Sequence, residues 1–137
     1  MTTEFEVIQN DGDHQSMMHL ISLKNLFARQ LPKMPKDYIV RLVFDRRHYC
    51  YTMWKQATGG SDRSIVAGLC FRPFPDRGFA EVVFLAVAAG EQVKGHGTRL
   101  MNHFKEYCKT HLGIRYLLTY ADNFAIGYFK KIGRAHV

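Results

Sequence analysis

The residues best suited to chemistry in this sequence form a glycine-rich segment, residues 92–98 (QVKGHGT), between a strongly apolar stretch and a helical one. Gly95 and Gly97 allow backbone turns that other residues resist, and they let amide groups approach a ligand without a Cβ in the way. The start of a helix adds unpaired N–H groups and a partial positive charge. Lys94, with Arg99 as a second cation, would reinforce that charge. The segment therefore predicts a binding site for a phosphate or pyrophosphate group.

The type of phosphate ligand depends on which known pattern the segment matches. The Walker pattern GxxxxGK(S/T) is missing, and Leu100 stands where the dinucleotide pattern requires its third glycine. The segment does fit Q/R-x-x-G-x-G/A, the pattern of acyl-CoA-dependent N-acetyltransferases. On spacing alone, a strand-to-helix turn that binds nothing fits equally well.

Glu81 is a second candidate because it is the single ionisable residue in an apolar run (FAEVVFLAV). Strand alternation predicts that its side chain shares a face with Phe79, Val83 and Leu85. Apolar surroundings disfavour the charged form of a carboxylate, which makes it a better proton acceptor near neutral pH. An amine must lose a proton before it attacks a thioester, so Glu81 would suit a general base. A carboxylate that reaches solvent, or one paired with an arginine such as Arg72, accounts for the pattern equally well.

A third element, residues 118–129 (LTYADNFAIGYF), carries aromatic residues at helical spacing. Such residues are usually part of a hydrophobic core, and a sharper interpretation makes them one wall of a cofactor cleft. Asp122 or Asn123 would cap the helix that follows.

The elements that must position these residues follow from hydrophobic periodicity and turn signals. They predict one domain over residues 1–137, of the α+β or mixed α/β class, with a central, mostly antiparallel sheet flanked by helices. We expect strands over residues 5–8, 48–55, 65–74, 79–88 and 116–120, and helices over residues 14–31, 35–42, 97–111 and 121–132.

Composition narrows the class of protein further. The three cysteines form no CxxC pair, and the seven histidines form no HExxH motif, so we predict no disulfide and no metal site. No apolar stretch reaches the ~18 residues that a membrane span needs. The net charge of +7 is scattered along the chain, so it is weak evidence for nucleic-acid binding.

Several longer strings resemble one family, the PCAF-type histone acetyltransferases of the GNAT superfamily. The resemblance extends over residues 5–133 and implies the GNAT fold for this chain. The strings that carry it are FAEVVFLAV at residues 79–87, EQVKGHGTRLMNH at 91–103, LTYAD at 118–122, IGYFKK at 126–131 and RQLPKMPK at 29–36.

The resemblance implies a role for each candidate residue. Glu81 would be the general base that deprotonates a substrate lysine, directly or through water. Backbone groups of Leu85, Ala86 and Val87 would contact the acetyl and pantetheine arm, and one amide would polarise the thioester carbonyl. Further coenzyme-binding residues are implied at Gln92, Val93, Lys94, Gly95, His96, Gly97, Thr98 and Phe124.

The resemblance also implies a reaction and its partners. Acetyl-CoA would be the cosubstrate, without a metal, and a histone-tail lysine would attack it directly in a ternary complex. The expected setting is the nucleus, together with subunits of a transcriptional coactivator complex, and neither direct nucleic-acid binding nor a membrane is expected.

The last residues, 134–137, do not resemble the family's continuation, so we expect the domain to lack the family's last strands, which help form the substrate groove. Three alternatives stay open. This end leaves open a coenzyme-binding but inactive module. The generic loop pattern also fits an N-acetyltransferase for a small amine, and net charge alone supports a nucleic-acid binder.

Overall fold

A computed structural model describes residues 3–56, 62–92 and 94–119. Within these residues the chain forms one five-stranded sheet with three helices. The strands are β1 (Thr3–Gln9), β2 (Tyr49–Gln56), β3 (Arg63–Phe74), β4 (Phe79–Val87) and β5 (Tyr116–Thr119), and the helices are α1 (His14–Gln30), α2 (Lys36–Val43) and α3 (His96–Tyr107).

The sheet has the strand order β1-β2-β3-β4-β5. The first three pairings are antiparallel, and β4 pairs with β5 in parallel. The expected mixed architecture, mostly antiparallel and flanked by helices, is therefore confirmed.

Helix α1 begins with a side-chain cap at Asp13. The Asp13 carboxylate accepts hydrogen bonds from the backbone N–H groups of Gln15 and Ser16, which satisfies donors that the first turn leaves free. Its buried residues recur at helical spacing and pack on one face of the sheet: Leu20, Leu23, Leu26 and Phe27.

The sheet has a hydrophobic core on each face. The core on the α1 side, called the α1 core below, joins α1 and α2 to the sheet. The core on the other side, the α3 core, joins α3 to the sheet. The α1 core includes Leu20, Leu23, Phe27, Ile39, Val43, Cys70, Phe84 and Ala86. The α3 core includes Met53, Leu69, Phe71, Ala80, Val82, Leu100, Met101 and Phe104.

The predicted element boundaries agree with the structure to within about two residues, the error expected of such assignments. Where a single helix is expected over residues 97–111, α3 passes at Tyr107 into a π-helical segment, Cys108–Leu112, that ends at Gly113. The predicted helix over residues 121–132 lies outside the described residues. No helix in the described part of the chain is long and apolar enough to cross a membrane.

Candidate active site

Strand β4 carries a β-bulge at Val83. Cys70 of β3 pairs with Phe84, and the next residue, Phe71, pairs with Val82, so Val83 has no partner in the register. A bulge adds one residue to one strand, so the side chains beyond it exchange faces.

The bulge changes which residues share a face with Glu81. Val82 packs in the α3 core, whereas Phe84, two residues later, packs in the α1 core. Glu81 lies between Ala80 and Val82, which both face α3, so its own side chain points to the α1 side and is half-buried. Leu85 packs against the α3 core. The prediction that Glu81 and Leu85 share a face was therefore wrong, because simple alternation does not hold across a bulge.

Arg72 of β3 lies directly opposite Glu81 in the register. Its guanidinium group is nevertheless over the ring of Phe74, 4.7 Å from the ring centroid. Among the described residues, none forms an ion pair or hydrogen bond with the Glu81 carboxylate. The alternative of an Arg72–Glu81 pair is therefore wrong in this structure.

Beyond the bulge, one edge of β4 is open among the described residues. The Ala88 N–H donates to the Val66 carbonyl, 2.8 Å away, so the backbone groups of Ala88 face β3. Because these groups alternate in direction along an antiparallel strand, those of Leu85 and Val87 point away from β3. On that side, the described part of β5 pairs only with residues 79–82. Within the described strands, the Leu85 amide therefore faces a gap between β4 and β5.

The glycine-rich loop follows β4 immediately. Gly90 (φ 85°) and Gly95 (φ 78°) both adopt left-handed backbone conformations that favour glycine. Gly95 is the N-cap of α3, and no side chain in the described residues caps the first turn. The amides of that turn are therefore available to an anion, with Lys94 and Thr98 exposed beside them.

Gln92 ties the loop to two other elements. Its side-chain amide nitrogen donates to the Gln30 side-chain oxygen at the end of α1, 2.8 Å away, and to the Val87 carbonyl, 3.1 Å away. The second bond satisfies one of the backbone groups that point into the gap. In this structure Gln92 thus holds the loop in place.

The side chains of two further loop candidates point into the protein. His96 is only 6% exposed, and Gly97 is buried, so only their backbone amides in the first turn of α3 could contact an anion. Arg99 donates to the Thr3 hydroxyl, 3.0 Å away, so its guanidinium group is directed toward β1.

Glu91 is a buried residue in the loop that the sequence did not single out. It is 8% exposed, and its carboxylate lies within ion-pair distance of Lys55, Lys94 and His96. Hydrogen bonding from Lys55, the largest effect, and the other nearby positive charges lower the pKa of the Glu91 carboxyl. Lys55 lies on β2, far from the loop in sequence, so no local motif indicated the contact.

The remaining predictions concern residues outside the described ranges or absent groups. Val93 and Phe124 lie outside the described residues. In the described ranges, no group of three or more His, Cys, Asp or Glu side chains could hold a metal ion. The three cysteines are free and buried.

The fold and this arrangement of strand, loop and helix define the class of the protein. Residues 18–133 match the model of the acetyltransferase (GNAT) family. Because the match extends over most of the sequence, the chain belongs to the acetyltransferase (GNAT) family.

Individual relatives indicate which members of the family this chain resembles. The chain is 50% identical over 130 residues to the histone acetyltransferase GCN5 of Debaryomyces hansenii, covering 95% of this chain and 28% of the relative. It thus spans less than a third of the length of this curated relative.

Solved structures of GCN5 proteins are also similar to this chain. The crystal structure of Tetrahymena GCN5 matches with a TM-score of 0.86 and 56% identity, covering 95% of this chain and 78% of that one. The Tetrahymena GCN5 catalytic domain in complex with coenzyme A matches with a TM-score of 0.76 and 55% identity, covering 97% and 76%. These findings confirm the resemblance to histone acetyltransferases of this superfamily.

Proposed function

We propose that this chain transfers the acetyl group of acetyl-CoA to the ε-amine of a lysine in a histone tail. The observation that carries the proposal is the bulged strand β4. Before the bulge it holds Glu81, a half-buried carboxylate without a partner among the described residues, and after the bulge it presents the Leu85 amide at an open edge. The similarity to GCN5 proteins supports the same reaction.

Acetyl-CoA binding is supported by the loop and the start of α3. A pyrophosphate is an anion, and the uncapped amides of His96, Gly97 and Thr98 lie at the positive end of a helix dipole. Lys94 adds a cation next to them. A similar structure contains coenzyme A, the coenzyme that remains after acetyl transfer. Residues 92–98 would therefore hold the pyrophosphate.

The open edge of β4 suits the acyl end of the coenzyme. The Leu85 N–H would donate a hydrogen bond to the thioester oxygen, where negative charge develops as the amine attacks. The backbone groups of Val87 point to the same open edge, whereas those of Ala86 face β3, so the pantetheine arm would run along the edge beside Leu85 and Val87. The acetyl group and the pyrophosphate would then occupy opposite ends of one continuous site.

Glu81 would act as the general base. The protonated lysine amine loses a proton to the Glu81 carboxylate, directly or through water, and the neutral nitrogen attacks the thioester carbon. The tetrahedral intermediate collapses with cleavage of the carbon–sulfur bond, and the coenzyme leaves as a thiolate that takes up a proton. The products are an acetylated lysine and coenzyme A.

The same relatives support a proposal for the setting of the reaction. GCN5 proteins are described as histone acetyltransferases. We propose a histone tail as the substrate, subunits of a transcriptional coactivator complex as partners, and the nucleus as the location.

Acetylation of a histone-tail peptide by the purified chain tests the proposal. We expect transfer to a lysine, and we expect Glu81→Gln to lower kcat by about 10²–10⁴-fold while coenzyme binding is retained. Glu106→Gln, the same change at an exposed position on α3, is the matched control and should leave kcat unchanged. Full activity of Glu81→Gln would refute the role of Glu81.

The same assay separates the alternatives. Acetyl-CoA binding without transfer to any histone peptide would instead indicate an inactive binding module. Transfer to a small amine but to no peptide would indicate a small-amine acetyltransferase.

A further inference from the structure

Glu91 places a negative charge inside the loop that would bind the pyrophosphate. Its Oε2 atom accepts a hydrogen bond from the Lys55 ammonium group, 2.5 Å away, and the Lys94 ammonium group is 3.7 Å from the same atom. The carboxylate is buried, whereas the Lys94 side chain is 54% exposed. Two cations thus compete for one carboxylate oxygen, and Lys55 is much the closer.

The other oxygen of Glu91 faces α3. Its Oε1 atom lies 3.5 Å from Nε2 of His96, and neither atom has a hydrogen-bond partner within the described ranges. The other ring nitrogen, Nδ1, lies 3.5 Å from an Arg99 guanidinium nitrogen, which can only donate. His96 therefore makes no hydrogen bond to the Glu91 carboxylate, whereas Lys55 does.

The charges around the loop decide how it receives an anion. An uncompensated Glu91 carboxylate would repel a pyrophosphate and would draw Lys94 onto itself. Buried charges act over several ångströms because little water screens them. With Lys55 bound to Glu91, the pair is neutral, and Lys94 keeps its charge for the ligand.

We propose that Lys55 is a positioning residue for coenzyme binding, because its ammonium group neutralises Glu91 and leaves the loop, including Lys94, able to accept the pyrophosphate. This inference rests on the proposed function, and it assigns a role to a β2 residue outside the glycine-rich motif. Lys55 reaches the ligand only through Glu91.

Calorimetric titration with coenzyme A tests the inference without any need for turnover. We expect Lys55→Met to raise the Kd about tenfold, the size of one unpaired charge acting at a partly buried site. The double variant Lys55→Met/Glu91→Gln should return to within about threefold of the wild type, because it removes both charges. Recovery in the double variant would show that the higher Kd of Lys55→Met comes from the uncompensated Glu91 carboxylate and not from loss of the Lys55 side chain itself.

Two further variants control the experiment. Lys55→Arg keeps the charge and should keep the wild-type Kd. Lys109→Met makes the same chemical change at an exposed position beyond the far end of α3 and should have no effect. Thermal unfolding of every variant checks that it is folded.

The outcomes are distinguishable from failure of the proposed function. A wild-type chain that does not bind coenzyme A refutes the proposed function and, with it, the basis of this inference. A wild-type chain that binds, together with a folded Lys55→Met variant of equal Kd, overturns the role of Lys55 alone. A double variant that binds no better than Lys55→Met also overturns it.

Discussion

Replacing Gly68 with alanine tests how closely α1 lies on the sheet. A Cβ at Gly68 would be 2.6 Å from the Leu23 Cδ2 atom and 3.5 Å from the Phe27 Cζ atom. Carbon atoms without a bond between them approach to about 3.5–4.0 Å, so the Leu23 contact overlaps by roughly 1 Å. Leu23 and Phe27 are fully buried at 0% exposure, so neither side chain has open space to enter.

The size of this overlap determines how much stability Gly68→Ala should cost. Overpacking a filled core costs about 1–3 kcal/mol. For a chain of this length, each kcal/mol corresponds to roughly 3–5 °C in Tm. We therefore expect Gly68→Ala to destabilise the fold measurably in equilibrium urea unfolding followed by circular dichroism.

A double variant assigns that loss to the Leu23 contact. Leu23→Ala alone should cost about 2–5 kcal/mol because it leaves a cavity. In Leu23→Ala/Gly68→Ala the new methyl group enters that cavity, so the combined loss should be smaller than the sum of the two single losses. Strict additivity, or a Gly68→Ala variant within about 0.5 kcal/mol of the wild type, would refute the steric argument.

Two other predictions concern the loop and pH. Gly95→Ala should cost about 1–2 kcal/mol of stability, because alanine resists the φ of 78°, and it should also weaken coenzyme A binding measured by calorimetry. Gly12→Ala (φ 83°), in the turn before α1, is the matched control, and it should lose similar stability while its Kd for coenzyme A stays unchanged. Equal Kd values for the two variants would contradict a role for the Gly95 conformation in binding. Hydrogen bonds from the Arg47 side chain and backbone lower the pKa of the Asp45 carboxyl. The ionised carboxylate therefore stabilises the fold above the unfolded-state pKa of about 3.9. This stabilisation is lost as the pH falls toward the lower pKa of the folded state. The stability difference between wild type and Asp45→Asn in urea unfolding should therefore shrink below about pH 4, and a difference that grows in acid would contradict this sign.

The order and type of the described elements could be predicted because they depend on local patterns. Helical spacing of Leu20, Leu23 and Phe27 and the Asp13 cap define α1, and both are visible in the sequence. The Pro75–Gly78 turn separates two apolar runs, and the chain does form adjacent antiparallel strands there. Each of these signals acts over a few residues.

The bulge at Val83 could not be predicted from the same patterns. Every second residue of β4 is buried: Ala80, Val82, Phe84 and Ala86. This alternation continues through the bulge because helices cover both faces of the sheet, so a residue that changes face is still buried. The sequence therefore reads as one uninterrupted strand, although its buried side chains enter two different cores. Only the pairing with β3 determines where the change of face occurs.

The charge pair under the loop was also beyond sequence reasoning. Lys55 and Glu91 are 36 residues apart, and a lone lysine on a strand is ordinarily solvated. Their contact exists because β2 and the loop after β4 meet in the folded chain. The glycine-rich motif predicts where an anion would bind, but it does not indicate how the Glu91 carboxylate is neutralised.

The order of strands in the sheet has a consequence for how the chain is made. In the described part of the chain, each strand pairs only with the strands before and after it in sequence. Among these described strands, none has to be inserted between two that have already paired. During synthesis the growing chain can therefore extend its sheet from one side, one strand at a time, as each leaves the ribosome. The edge on which β5 assembles is the same edge of β4 that presents Leu85, so the gap proposed for the coenzyme is the last part of this sheet to take shape.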